Sequence, residues 1–276
     1  MKKIRVRLHL VPHYAVLILF SIWILLPLVW AVTLSLKAPK DIVAIPNQFI
    51  FSPTLENYME VVQKGDFMQQ FKTSLIVGVC STVLALAIGV PAAYTLSRYR
   101  FRGNADLQFW VLSTRMAPAV AVLIPYFLVF QKLRLIDTYP AIIIMHLTVN
   151  LVLVIWLMKG FFSDIPEELS EVALVDGCTH WGALFRVNLP LAKGGIVCAA
   201  ILSFIFSWNE LMFSLILSGS SVKTAPVGVM NFIGFEKVAW GPLMAATIVL
   251  LVPIVVFVSL VQRELVRGLT FGAVKG

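Results

Sequence analysis

Long apolar runs alternate with short polar breaks along the whole of this chain. Six stretches, roughly 14–36, 73–97, 106–130, 139–158, 191–217 and 242–261, carry the apolar length that a helix needs to cross hydrocarbon, about 20 residues. The pattern predicts an all-α integral membrane protein with six transmembrane helices, read as a single transmembrane domain over 1–276. The first run follows the basic "MKKIRVRLHL" and could be taken for a secretory signal. Its apolar length exceeds the about 7–15 residues of a signal core, and no A-x-A site follows, so it reads as a retained anchor.

One break differs from the rest. Between the fourth and fifth runs lies "SDIPEELSEVALVDG" followed by "CTHWGALFRVNLP". Asp164 with Glu167 three residues on resembles a capping box, and Pro166 is tolerated in a first turn. A helix of about 12 residues, about 18 Å long, is expected from there to Val175 or Asp176. Gly177 should end it, since a residue without Cβ readily turns left-handed at a helix terminus. Thr179 can cap a second short helix running to Arg186, which Pro190 closes before the next span. On the first helix Glu168, Glu171 and Val175 fall near one face, and Leu169, Val172 and Ala173 near another. Such a half-apolar helix suits docking in a partner's groove. It also suits lying among lipid headgroups, although its charge is acidic where anionic lipid prefers Lys and Arg.

Composition supports the membrane reading. The chain is 59% hydrophobic and 13% charged, with a mean hydropathy of +0.91. Soluble domains average about 25% charged residues. The net charge of +8 is scattered at the ends of apolar runs, not gathered in a patch interleaved with aromatics, which argues against nucleic acid. Instead it orients the chain. With a cytoplasmic N-terminus, thirteen of the 22 Lys and Arg residues fall in the inner segments 1–13, 98–105, 159–193 and 262–276. Both termini and the unusual break are then expected in the cytoplasm. The three cysteines have no metal-like spacing and read as small packing residues, so no metal is expected.

Polar groups at membrane depth are costly and therefore candidates for function. Arg115 in the third run, His146 and Asn150 in the fourth, and Trp208, Asn209 and Glu210 in the fifth form this set. Rings and planar polar side chains can stack on and hydrogen-bond a polar solute, and an interior cation suits an anionic group. Other readings stay open: His146 or Asn150 bonding across helices, Arg115 and Glu210 forming an ion pair, or Glu210 lying at the rim.

The break also carries a resemblance. Glu171-Val-Ala, three residues, Gly177, nine residues, then Val187-x-Leu189-Pro190 is similar to the EAA loop of binding-protein-dependent ABC importer permeases. Val172 and Val187 stand where that pattern has Ala and Ile. "SLK" (35–37), "AAYTLSRYRFRG" (92–103), "FIFSWNELMFSL" (204–215) and "GLTFGAVKG" (268–276) extend the resemblance. It points to the carbohydrate class, resembling the second permease subunit of the maltose system, and implies the type I importer fold. The resemblance implies that Glu171, Val172 and Ala173 face an ATPase, with Asp176, Gly177 and Pro190 fixing the turn and the re-entry. It further implies a heterodimer with a related permease, two ATPase subunits and a periplasmic or extracellular solute-binding protein, in a membrane-lipid setting. The 218–241 connector and the 37–72 segment would meet that binding protein. No phosphate-loop pattern, nor any Gly-Lys pair, occurs in the chain. ATP and Mg would therefore be bound by the partner, and this chain would be a transport subunit without a cofactor. A secondary transporter would need an inverted repeat and an ion relay, and an enzyme a nucleophile–base pair; neither is visible.

Overall fold

The computed structural model describes residues 2–63, 66–234 and 238–270. The end of the "GLTFGAVKG" stretch, from 271 on, lies outside the described residues. In chain order the helices are α1 (Lys2–Ser35), α2 (Pro39–Ile42), α3 (Glu56–Gln63), α4 (Phe67–Arg98), α5 (Asn104–Ser113), α6 (Ala119–Lys132) and α7 (Tyr139–Ser163). Then come α8 (Glu168–Val175), α9 (His180–Ala183), a wider π turn (Leu184–Asn188), α10 (Leu189–Leu191), α11 (Lys193–Trp208), α12 (Met212–Leu217), α13 (Ala225–Val229) and α14 (Trp240–Thr270). Among the described residues the sole strand-like pairing is one antiparallel bridge, Ile233 with Val238. Among the described residues four helices are long and apolar enough to cross a membrane, or six when each of two bent pairs counts as one span.

The bends are where the structure departs from the sequence pattern. The third run is not one helix: α5, with the short turn after it, meets α6 at 97°. Pro118 is the cause. It disfavours helical backbone at the preceding residue, and Ala117 accordingly turns extended, with ψ 127°. The fifth run begins after an 81° bend at Ala192 and breaks again after Trp208, resuming as α12. The helix expected from Asp164 starts at Glu168 instead, and Asp164 closes α7, its N–H donating to the Gly160 carbonyl. Pro166 explains the delay, since it lacks an N–H and holds Ile165 away from helix.

Two compact units result. In the unit of residues 1–67 and 229–252, Lys37 is buried. Its Nζ donates to Asn47 Oδ1 at 2.9 Å and lies 5.9 Å and 5.3 Å from the rings of Trp30 and Phe51. The ring faces compensate the buried charge. Asn57 on α3 donates to the carbonyls of Ser35 and Lys37, tying α3 to the end of α1.

The unit of residues 68–228 and 253–276 holds α7 and α11 packed together, with α4 meeting both at Gly89 and Ser81. Small residues permit the approach, as lipid supplies no hydrophobic drive between helices. A Cβ on Gly89 would come within 2.7 Å of Val154. One cluster joins Ala85, Val90, Tyr94, Val154, Met158, Phe162, Leu184 and Ala199. A second joins Val77, Leu123, Phe130, Ile142, Met145, Phe213 and Leu217.

The connector after α12 is pinned rather than loose. Asp137, between α6 and α7, accepts backbone N–H bonds from Gly219 (2.8 Å), Ser221 (2.9 Å) and Val222 (2.8 Å). The Ala225 N–H donates to Ser74 Oγ on α4 at 2.8 Å. Burial alone would raise the Asp137 pKa, but the N–H groups of Ser221, Val222 and Gly219 outweigh it. They hold the carboxyl at about 2, below its ordinary 3.8. A depressed folded value means that the clamp contributes fully above about pH 3.8 and is lost as pH falls through about 2. Protection of the Ser221 and Val222 amides, corrected for intrinsic exchange, is therefore expected to be equal at pH 5 and pH 7. In Asp137→Ala those amides should exchange at least about tenfold faster, read by hydrogen exchange with mass spectrometry. Unchanged exchange in the variant would show that the connector is held by something else.

Candidate functional site

The break between α7 and α11 folds into a small module. α8 closes in a Schellman arrangement: Gly177 takes φ +87°, its N–H reaches the Leu174 carbonyl at 3.1 Å, and the Cys178 N–H reaches that of Ala173 at 2.9 Å. Thr179 Oγ1 then caps α9, accepting the Gly182 N–H at 3.1 Å. Pro190 does not end this second segment but sits inside α10, and the chain turns at Ala192.

The faces of α8 differ from the sequence expectation. Ser170 and Ala173 point inward, Ala173 being 7% exposed, so Ala173 faces the body of the protein and not the outer face of α8. Glu171 and Asp176 are exposed. Leu169, Val172 and Val175 form an exposed apolar row that ends in Val175 at 88%. Trp181 and Phe185 continue it, also exposed and stacked with ring centres 6.0 Å apart. The sequence reading missed this pair, although two aromatics four residues apart share a helical face.

It also missed what holds the module. Asn188, 0% exposed, accepts from Arg98 Nη2 at 3.2 Å and donates to the Ala183 carbonyl and to Ser170 Oγ, both at 3.0 Å. Beside it Tyr99 Oη and His180 Nδ1 lie 2.7 Å apart.

The polar residues expected at membrane depth separate into two groups. Arg115 is exposed and lines a cavity of about 570 Å³ with Trp110, Tyr126 and Thr148; its guanidinium lies 5.2 Å from the Phe206 ring centre. His146, Asn150, Asn209 and Glu210 line a second cavity of about 350 Å³, and Val149 and Phe213 border both. Trp208 lines neither. It is 1% exposed, stacked on Phe204 and edge-on to Phe71.

Arg115 and Glu210 do not pair. The Glu210 carboxylate caps α12 instead, accepting the N–H groups of Phe213 (2.8 Å) and Ser214 (3.0 Å). Its Oε2 also lies 3.2 Å from His146 Nε2. Asn150 donates to Ser207 Oγ at 2.8 Å, which lies 2.9 Å from Ser81 Oγ. That ladder crosses from α7 through α11 to α4, so Asn150 bonds across helices. His146, 2% exposed, leaves its Nδ1 without a hydrogen-bond partner. Among the described residues no His, Cys, Asp and Glu group could hold a metal.

Comparison with known proteins places these features in context. Residues 85–271 match the family described as binding-protein-dependent transport system inner membrane component. The trehalose transport system permease protein SugB of Mycobacterium tuberculosis (strain CDC 1551 / Oshkosh) is 39% identical over 259 residues, 91% of this chain and 93% of that one. The trehalose/maltose transport system permease protein MalG of Thermococcus litoralis is 32% identical over 263 residues, 94% of each chain. In fold the chain resembles a crystallised bacterial ABC transporter involved in the import of the acidic polysaccharide alginate. The TM-score is 0.78 at 22% identity, over 93% of this chain and 96% of that one.

The ladder yields a direct test. Ser207→Ala strips Asn150 and Ser81 of their shared partner and should cost about 1 kcal/mol. A lowered thermal midpoint in detergent is the expected result; an unchanged midpoint would mean that the ladder adds nothing to stability.

Proposed function

This chain belongs to the family of binding-protein-dependent transport system inner membrane components, and from that premise we propose that it forms the translocation path of a carbohydrate importer. It is a permease subunit with the type I importer fold, not the enzyme of the system. The proposed substrate is a sugar, polyol or glycoside, in keeping with the trehalose and maltose transport of its relatives. A separate ATPase pair drives the cycle, a second related permease completes the path, and a solute-binding protein delivers the ligand. The segment 159–193 and both termini face the cytoplasm, and the connector 218–241 faces out, where Asp137 holds its near end in a fixed shape.

The observation that carries this reading is the α8–α9 module. Its exposed apolar residues Leu169, Val172, Val175, Trp181 and Phe185 lie on the segment that carries the EAA spacing, over a buried polar base. Such a row suits a groove on the ATPase, where a few large apolar side chains supply most of the affinity. Glu171 and Asp176 flank the row, Gly177 sets the turn, Ala173 seats α8 against the body, and Pro190 lies in the short helix leading to the bend. For the ligand, we propose the two adjoining cavities, with Arg115, His146, Asn209 and Glu210 at their walls. Asn150 lines the second cavity while bonding across to Ser207, and Trp208 supports the wall from behind.

One proteoliposome assay tests both parts, using the complex purified through this chain with ligand-loaded binding protein. Gly177→Val forces a β-branched residue into left-handed backbone, and Val172→Asp puts a charge into the apolar row. Either should leave the chain in the membrane yet lower stimulated ATP hydrolysis about tenfold; wild-type stimulation in both would reject the docking role. Arg115→Ala should leave the folded complex intact and reduce uptake, whereas undiminished uptake would remove Arg115 from the path.

A further inference from the structure

Asn188 spends its whole side chain on three separate pieces of the protein. Its Nδ2 reaches Ser170 on α8 and the Ala183 carbonyl at the end of α9. Its Oδ1 takes Arg98 Nη2 from the last turn of α4. Arg98 is otherwise poorly served, its Nε being buried without a hydrogen-bond partner. At 0% exposure no water can replace these bonds, so cutting one leaves a polar group stranded at the cost of its desolvation. The other polar link, Tyr99 to His180, is exposed, and water can stand in for either partner there. Leu184 also shares an apolar cluster with Ala85, Val90 and Tyr94 of α4, but apolar surfaces slide, whereas a satisfied amide has one geometry.

We infer that Asn188 is the positioning residue that locks the docking module to α4, so that a displacement of α8 and α9 reaches that span as one rigid movement. The inference rests on the docking role proposed above. It assigns a task to a position that the EAA spacing leaves unspecified, between Val187 and Leu189. The π turn that Asn188 closes fits that task, because insertions of this kind gather where a helix has a functional job.

The test uses the whole complex in proteoliposomes and reads the ratio of ATP hydrolysis with and without loaded binding protein. Asn188→Leu and Arg98→Met are each expected to lower that ratio about five- to tenfold while the ATPase still co-purifies. The double variant should fall no further than either single one, since both cut the same link. An unchanged ratio in the single variants, or losses that multiply in the double, overturns the inference. If Asn188→Leu loses the ATPase, Ser170→Ala decides, because it cuts the amide from α8 and leaves no charge behind. A lowered ratio with the ATPase bound supports the lock; an unchanged ratio makes Asn188 a structural plug. A wild-type complex that brings down no ATPase would refute the docking reading itself, before any variant is compared.

Discussion

Hydrocarbon offers no hydrogen bonds, and this chain is shaped by the need to satisfy each polar group from within. Unbroken helices do so by themselves. Wherever the backbone leaves the helix at depth, a side chain has to take over. After Trp208 the backbone stops for three residues, and the Glu210 carboxylate collects the N–H groups that open α12. Asn150, Ser207 and Ser81 spend their polarity on one another across three helices. Small residues serve packing in the same region: Gly89 lets α4 approach Val154 of α7 more closely than a Cβ would allow.

Outside the spans that rule governs the docking module. Two short helices cannot be stable alone, since a nucleus costs more than a turn or two returns. Here a Schellman turn, the Thr179 cap and the buried Asn188 amide supply what length does not. The polar base is what leaves the outer face free to be apolar. In the docking role proposed for it, a partner would press on Val172 and Val175 without unfolding the helix that carries them, and the load would pass inward through groups with fixed geometry.

Much of this was legible in the sequence. The six runs predicted the helical class, and Gly177, Thr179 and the EAA spacing predicted the turn, the cap and the family. Hydropathy sums over a window, however, and so it passed through the breaks at Pro118 and after Trp208, although a proline at mid-run was visible. The start of α8 was placed too early because Asp164 and Glu167 have the spacing of a capping box; the intervening Pro166 prevents the helix that the box would need. Ala173 was put on the outer face by the family pattern, yet it packs inward with Ser170, three residues before it on the same helical stripe. Trp208 and Asn150 were chosen because polar or aromatic groups at depth are costly. Such cost is met by packing and cross-helix bonds as readily as by a ligand: Trp208 stacks on Phe204 and lies edge-on to Phe71, while Asn150 both bonds to Ser207 and lines the second cavity. Asn188 gave no signal, since an asparagine in a polar segment shows nothing of the three elements that meet on it.

The central claim is that the apolar row of the α8–α9 module is covered by an ATPase. A photoreactive residue at Val175, the most exposed position of that row, tests it in native membranes, with the cross-linked product identified by mass spectrometry. The account predicts a cross-link to a nucleotide-binding ATPase chain. A product containing only phospholipid would contradict it and make α8 a helix that rests on the membrane surface.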